Sequence, residues 1–281
     1  QQSEVYTNSL VDYNKALTLY RDKQYQSAQI IFEKVKQNAN NELEADCSYY
    51  IANCAIRLNQ SNAEEKMESF VKNYPTSSKQ NLAYSEVAMY YFEQGKYPKA
   101  LEWFDKVDET SLTQDELEKF NFYKGYSFFN SGKKKEASQY FNKVVNSQEF
   151  GSQAKYYLGF MAYEGDDYKE ASKYFDAVSG EEKYKEKLSY FQADMNFKLG
   201  KFEEAIKLGK AAMAKSNEIE KSELNKIIGE SYFNLKQYDK AIPYLKEYKG
   251  KKGKWNNTDY YQLGYAYYKQ NDYENAITQF N

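Results

Sequence analysis

Residues 258–280 read TDYYQLGYAYYKQNDYENAITQF, and this stretch decides the fold of the whole chain. Its apolar residues recur every three or four positions on both sides of a polar break at 270–272. This spacing predicts two short amphipathic helices joined by a tight turn. A small residue, Gly264, stands twelve positions before Ala276. A pair of helices this short cannot bury its apolar stripes alone, so it predicts neighbours of the same kind.

The same spacing recurs along the rest of the chain. A landmark residue, nearly always alanine, marks each second helix at intervals of 34–38 residues, and a small residue stands twelve positions before it. A period of this length predicts an array of stacked helix pairs rather than one globular core. The landmarks are Ala28, Lys66, Ala100, Ala137, Ala171, Ala205, Ala241 and Ala276. The small residues are Ala16, Cys54, Ala88, Gly125, Gly159, Ala193, Gly229 and Gly264.

The pattern resembles the tetratricopeptide repeat (TPR) family over essentially the whole chain. Seven positions of the quoted stretch match the family's motif: Tyr260, Leu263, Gly264, Tyr267, Tyr273, Ala276 and Phe280. The resemblance implies an all-α, right-handed superhelical solenoid of antiparallel helix pairs, forming a single domain over residues 1–281. The expected units span about 9–46, 47–80, 81–117, 118–151, 152–185, 186–221, 222–256 and 257–281, the last being incomplete.

Where single residues depart from the pattern, we predict local changes in packing or loop length. Lys66 replaces the landmark alanine, so the second helix pair is expected to be looser. Gly209 replaces the large residue that usually follows the landmark by four positions, which predicts a shallow gap. The polar stretches Gln37–Glu42 and Asp108–Asp115 are predicted to be lengthened loops between units.

Composition argues against catalysis and against several partner classes. The chain has no histidine, and its 39 Lys and Arg against 41 Asp and Glu give a net charge of −2, without the basic excess typical of nucleic-acid binding. Cys47 and Cys54 lie two helical turns apart, roughly 10 Å, too far for a disulfide, and are predicted to be free and buried. No apolar run reaches the length of a membrane span. We therefore expect no catalytic residue, metal or cofactor, no nucleic acid and no membrane span.

In TPR proteins the first helices line a concave groove. The resemblance projects three positions of each unit onto that groove, lying three residues before and one and four residues after the small residue. The third is large and apolar in every unit and is predicted to be core. The other two, with the mixed-charge positions of units six and seven, are predicted to contact a partner. The predicted partner-binding residues are Phe122, Tyr126, Tyr156, Phe160, Tyr190, Asp194, Lys226, Glu230, Tyr261 and Tyr265.

The first hypothesis for function is a non-catalytic scaffold that binds a protein or peptide in this groove. The chain lacks the lysine–asparagine pair with which some family members clamp a peptide's terminal carboxylate, because Glu230 follows Lys226. Two alternatives stay open: the recognition arm of a larger protein whose missing C-terminal part is catalytic, and a groove for a glycan. The eighth unit stops within its second helix, which predicts that the natural chain continues or that a second copy associates with this end.

The expected location is the periplasm or the cell surface, with the cytoplasm as the alternative. The Phe70–Tyr74–Pro75 pattern is similar to TPR proteins of Gram-negative cell envelopes. The Gln1–Gln2 start without a methionine suits removal of a signal peptide or trimming of the sequence.

Overall fold

A computed structural model describes the backbone of residues 2–281 and the side chains of residues 9–281. This part of the chain forms sixteen α-helices and a 3-10 turn at Glu109–Ser111, with a single isolated β-bridge between Lys251 and Lys254. The all-α class predicted from the repeat is therefore confirmed. The helices are α1 (Gln2–Arg21), α2 (Tyr25–Lys36), α3 (Asn41–Arg57), α4 (Ala63–Asn73), α5 (Gln80–Glu93), α6 (Tyr97–Phe104), α7 (Gln114–Asn130), α8 (Lys134–Lys143), α9 (Gly151–Glu164), α10 (Tyr168–Asp176), α11 (Glu182–Lys198), α12 (Phe202–Met213), α13 (Glu218–Asn234), α14 (Tyr238–Glu247), α15 (Asn257–Lys269) and α16 (Tyr273–Phe280).

The chain divides into two compact units, residues 1–146 with α1–α8 and residues 147–281 with α9–α16. Within each unit every helix packs against the next one along the chain. First helices of neighbouring pairs also touch, as α5 does α7 and α11 does α13. This nearest-neighbour order is that of the predicted solenoid of helix pairs, because each pair covers the apolar stripes of the next. The arrangement of all eight pairs as one domain stays a prediction.

Most first helices begin earlier than the predicted unit boundaries, and four of them begin four to six residues earlier. Helices α3, α7, α11 and α13 are each 17 residues long and start before residues 47, 118, 186 and 222. The stretch predicted as a loop at Gln37–Glu42 is accordingly shorter, since α3 already begins at Asn41. The second predicted loop is present between α6 and α7, where it contains the 3-10 turn. The additional residues of the longer repeats therefore lengthen helix α3 in the first case and the loop before α7 in the second.

The small residue of the first helix was expected to meet the landmark alanine, but the close approach lies one turn further along the second helix. A Cβ added to Gly159 would stand 2.6 Å from the ring of Phe175, and one added to Gly264 would stand 2.7 Å from Phe280. The nearest atoms thus come from the residue four positions after the landmark, not from the landmark alanine. Helical side chains lean towards the N-terminus of their helix, so a given point is covered by a residue that follows it.

Two expected defects in packing are absent. In the second pair the buried stripe of α4 moves to Ala63, Met67 and Phe70, each at most 1% exposed, while Lys66 turns outward towards Glu33 at 3.8 Å. The prediction of a looser pair is therefore wrong. The predicted gap at Gly209 is wrong as well. The side chain of Ile228 on α13 occupies the space, and a Cβ on that glycine would lie 2.9 Å from it.

The start of α13 allows a direct test of local helix capping. The Asn217 side chain accepts hydrogen bonds from the backbone N–H groups of Ile219 and Glu220 at 3.0 and 2.9 Å. Asn217→Ala is expected to lower the free energy of unfolding by about 1 kcal/mol, measured by urea unfolding followed by circular dichroism. Asn62 occupies the same position before α4 without a capping hydrogen bond. Asn62→Ala should therefore change little, and equal losses in the two variants would contradict the capping argument.

Candidate functional site

The third groove position of each first helix is predicted to be core, and this prediction is wrong. Seven of the eight side chains are only half-buried and Tyr268 is 50% exposed. In six repeats the ring packs on the aromatic residue that begins the second helix, as Phe92 does on Tyr97 with ring centroids 5.6 Å apart. The position lies at the end of the first helix, where the short turn and rings of the next first helix cover it only in part. The six rings are Tyr20, Phe92, Tyr163, Phe197, Phe233 and Tyr268.

Two predicted partner-binding rings lie in the first compact unit, residues 1–146, and they differ in exposure. Phe122 is 5% exposed and packs on Phe141 with ring centroids 5.8 Å apart, so its assignment to a binding surface is wrong. The Phe141 ring also fills the space above Gly125. Tyr126 is half-buried and packs edge-on against Phe92 at 5.5 Å, which leaves part of its ring accessible.

A cleft of about 210 Å³ opens between α5 and α7 in the first unit, and we name it the α5–α7 cleft. Its walls are mainly apolar, and its rim carries two glutamates and a lysine. Leu82, 42% exposed, is the most accessible apolar side chain of this wall. The lining residues are Leu82, Ser85, Glu86, Met89, Phe104, Leu112, Glu116, Lys119, Phe120 and Tyr123.

The predicted rings of α9, at the start of the second unit, pack largely on rings of α11. Tyr156 stacks on Tyr184 at 5.4 Å, and Phe160 meets Phe191 edge-on at 5.9 Å. Burial raises the pKa of the Tyr156 hydroxyl, as expected for a phenol held between rings. Both rings are half-buried, so each combines a packing role with a remaining accessible edge.

Four predicted site residues come together in one cleft of the second unit, between α11 and α13. This α11–α13 cleft has a volume of about 400 Å³ and is open to solvent. The predicted residues in its lining are Tyr190, Asp194, Lys226 and Glu230. The other lining residues are Phe197, Glu223, Ile227, Tyr248 and Lys251.

Most charges around the α11–α13 cleft have a partner. Asp194 accepts a hydrogen bond from the Tyr163 hydroxyl at 2.6 Å and pairs with Lys198 at 2.9 Å. The Lys226 ammonium lies 3.1 Å from Asp259, a carboxylate almost fully buried at the start of α15. Loss of hydration raises the pKa of the Glu230 carboxyl, although the charge of Lys226 opposes the rise. The cleft therefore holds a carboxylate that water solvates poorly.

One set of cleft residues was not in the predicted pattern. Leu82, Lys119 and Glu223 each stand six residues before the small residue of their helix and line a cleft. This position lies one helical turn before the first predicted groove position, on the same face. The repeat register alone contains this signal, because the stripe of a long first helix extends one turn further towards its N-terminus.

The last helix pair of the second unit presents an exposed aromatic surface. Tyr261 is 54% exposed and stacks on Tyr265 at 5.8 Å, while Tyr265 also packs against Phe233. Phe280 is 51% exposed, whereas its counterpart Phe175 is fully buried. No described residue packs on the far side of α16, and self-association at this end stays a prediction.

The two cysteines are buried, and the described acidic side chains form no metal site. Cys47 and Cys54 are free and buried, as predicted, and burial raises the pKa of each thiol to about 12, so neither forms the reactive thiolate near neutral pH. Among these residues no group of three or more acidic or cysteine side chains is placed to hold a metal ion. No helix within the described part combines the length and apolar character needed to cross a membrane.

Comparison with solved structures shows the fold. The chain is similar to a tetratricopeptide repeat protein from Parabacteroides merdae ATCC 43184, with 16% identity and a TM-score of 0.52 over 99% of this chain and 100% of that chain. It is also similar to a mutant of MamA, with 16% identity and a TM-score of 0.51 over 59% of this chain and 89% of that chain. A MamA AMB-1 structure gives 16% identity and a TM-score of 0.50 over 60% and 96%. No curated protein matches the sequence.

Family models support the same assignment from sequence. Three models, each described as a tetratricopeptide repeat, match residues 46–77, 82–107, 227–249 and 260–281. The matched segments lie in both compact units and include the second repeat, where Lys66 replaces alanine. The chain therefore contains tetratricopeptide repeats in both compact units.

Proposed function

We propose that this protein is a non-catalytic scaffold that binds segments of partner proteins along its first helices. The observation that carries the proposal is the presence, in each unit, of an open cleft between neighbouring first helices. The α5–α7 cleft offers apolar walls and the α11–α13 cleft offers aromatic walls with charges. Half-exposed tyrosine and phenylalanine rings supply rigid contact area at a small loss of conformational entropy, which favours protein recognition.

A displayed library of random dodecapeptides tests the proposal without knowledge of the natural partner. We expect enrichment of binding peptides on the whole chain. For peptides anchored by an apolar side chain, Leu82→Asp is expected to weaken binding at least tenfold, because it places a charge on the wall of the α5–α7 cleft. Binding is measured by isothermal titration calorimetry with the selected peptides.

The matched control changes an equally apolar surface residue outside the clefts. Ile30 on α2 is 61% exposed and contributes to neither cleft. Ile30→Asp should leave peptide affinity within twofold of the parent protein. Failure to enrich any peptide would overturn the proposed function. If both substitutions weaken peptide binding equally, the clefts are not the binding sites.

The alternatives make different predictions. A glycan groove is supported by the stacked, accessible pair Tyr261 and Tyr265 and predicts a change in tyrosine fluorescence on addition of polysaccharides. A recognition arm of a larger catalytic protein predicts an open reading frame that continues past Asn281. An envelope location is part of our proposal and is motivated by the Phe70–Tyr74–Pro75 pattern. Fractionation of native cells with an antibody tests it.

A further inference from the structure

Two of the carboxylates of α13 line the α11–α13 cleft. Glu223 and Glu230 stand seven residues apart, so they share one face of the helix and both line the cleft. Glu230 is half-buried, and the Gln262 side chain and Lys226 are the neighbours that stabilise its charge. A carboxylate with so little hydration is stabilised further by an additional cation.

The cations already beside the cleft are engaged by other carboxylates. Lys226 pairs with Asp259, which does not line the cleft, and its ammonium also lies 4.7 Å above the ring of Tyr248. Lys198 pairs with Asp194 and lies over the rings of Tyr163 and Tyr168. With these two pairs set aside, the lining retains two glutamates against one exposed lysine, Lys251. The cleft therefore has a local excess of negative charge.

The walls of the cleft suit a flat cation. Tyr190, Phe197 and Tyr248 contribute rings to the lining, and the first two are half-buried with accessible edges. Burial, and after it the negative charge of Asp194, raises the pKa of the Tyr190 hydroxyl, so this group stays protonated and can donate a hydrogen bond. A guanidinium group stacks on aromatic faces and donates to carboxylates in a fixed fork, and it is less strongly hydrated than an ammonium group.

We propose that the α11–α13 cleft binds an arginine side chain of the partner protein, between the carboxylates of Glu223 and Glu230 and the rings of Tyr190 and Phe197. The proposal rests on the proposed function, since it names the chemistry that one of the two clefts recognises. Charge complementarity selects the occupant: an acidic partner residue would meet the same two glutamates and be repelled. Lysine is the weaker alternative, because its compact ammonium group is more strongly hydrated than a guanidinium group and does not stack flat on the rings.

The same display of random dodecapeptides, repeated on the whole chain, supplies the probe. We expect a class of enriched peptides that contain arginine. Replacing that arginine with citrulline keeps the shape of the side chain and removes its charge, and it should weaken binding at least tenfold. The double substitution Glu223→Gln and Glu230→Gln should weaken binding of the arginine peptide by a similar factor and leave the citrulline peptide almost unchanged.

Two controls keep the test specific. Glu203→Gln removes one exposed carboxylate from α12, outside the cleft, and should change affinity less than twofold. Thermal unfolding by circular dichroism shows whether each variant folds. If the double variant does not fold, the single substitution Glu223→Gln at the half-exposed position is measured instead.

The outcomes separate this inference from the proposed function. Enriched peptides whose binding does not depend on arginine, or on Glu223 and Glu230, would overturn the inference and leave the scaffold intact. Absence of any enriched peptide would overturn both. A lysine peptide that binds as tightly as the arginine peptide would show a general cation site and contradict the proposed preference for a guanidinium group.

Discussion

Phe175→Ala is expected to lower the free energy of unfolding of the second unit by about 3–5 kcal/mol. The Phe175 ring is 0% exposed and lies where three helices meet. It fills the space above Gly159 on α9 and packs against Phe191 of α11 at 5.9 Å. Truncation removes this apolar burial and leaves a cavity that the flanking helices cannot close without separating from their other neighbours. Urea unfolding followed by circular dichroism gives the loss.

The eighth repeat supplies a matched control for this experiment. Phe280 occupies the same position four residues after its landmark and also covers a glycine, Gly264, but it is 51% exposed. Phe280→Ala is therefore expected to lower the free energy of unfolding by only about 1 kcal/mol, because much of the ring is already in water. Hydrogen exchange of α9–α11 amides localises the effect of the Phe175 change, which matters because repeat arrays can unfold in stages. Equal losses in the free energy of unfolding for the two substitutions would show that burial does not determine how much each phenylalanine stabilises the protein.

The fold could be predicted because the same residue pattern recurs at a regular interval along the sequence. Helix pairs follow from apolar spacing, and the close contact within each pair follows from a small residue twelve positions before the landmark. Every landmark alanine in the array is at most 3% exposed. The same residue types recur at each position, so an error in one repeat is corrected by the others.

The depth of individual side chains could not be predicted in the same way. Phe122 and Tyr156 occupy equivalent positions in successive repeats, yet Phe122 is buried and Tyr156 is half-buried. A helix advances about 100° per residue, so a modest rotation moves a side chain from a cleft wall into the core. In α4 the buried stripe shifts from Lys66 to Ala63 and Met67 for this reason. Rotation depends on the neighbouring helices, which a single repeat does not describe.

The polar half of the candidate site was easier to anticipate than the aromatic half. Asp194, Lys226 and Glu230 replace the rings found at these positions in earlier repeats, and the structure places all three in the lining of one cleft. Their partners were not visible in the pattern: Lys226 pairs with Asp259 from the next repeat. A charge in a repeat protein therefore acquires its role from the adjacent helix pair, and its position within its own pair is not sufficient to assign that role.

Gly229→Leu is expected to lower the free energy of unfolding of the second unit by about 3 kcal/mol, near the upper part of the range for overpacked cores. Even a Cβ at this position would lie 2.8 Å from the Leu245 side chain and 3.0 Å from the Leu245 backbone nitrogen. A side chain can change rotamer, but the backbone of α14 can move only if the two helices separate. Leucine gains about 1 kcal/mol in helix propensity over glycine, which is smaller than the loss from the clash. Urea unfolding measures the difference.

Gly180→Ala serves as the control, because a Cβ at Gly180 would meet no atom within 4 Å and its backbone is not left-handed. That substitution should leave the free energy of unfolding unchanged or raise it by about 0.5 kcal/mol. The Gly229 change also bears on binding, because Glu230 is the next residue and the same helix carries Glu223. Separation of α13 from α14 should therefore weaken binding of the arginine peptide at temperatures where the variant is still folded. A destabilised variant with full affinity would show that the cleft does not depend on the close packing of this helix pair.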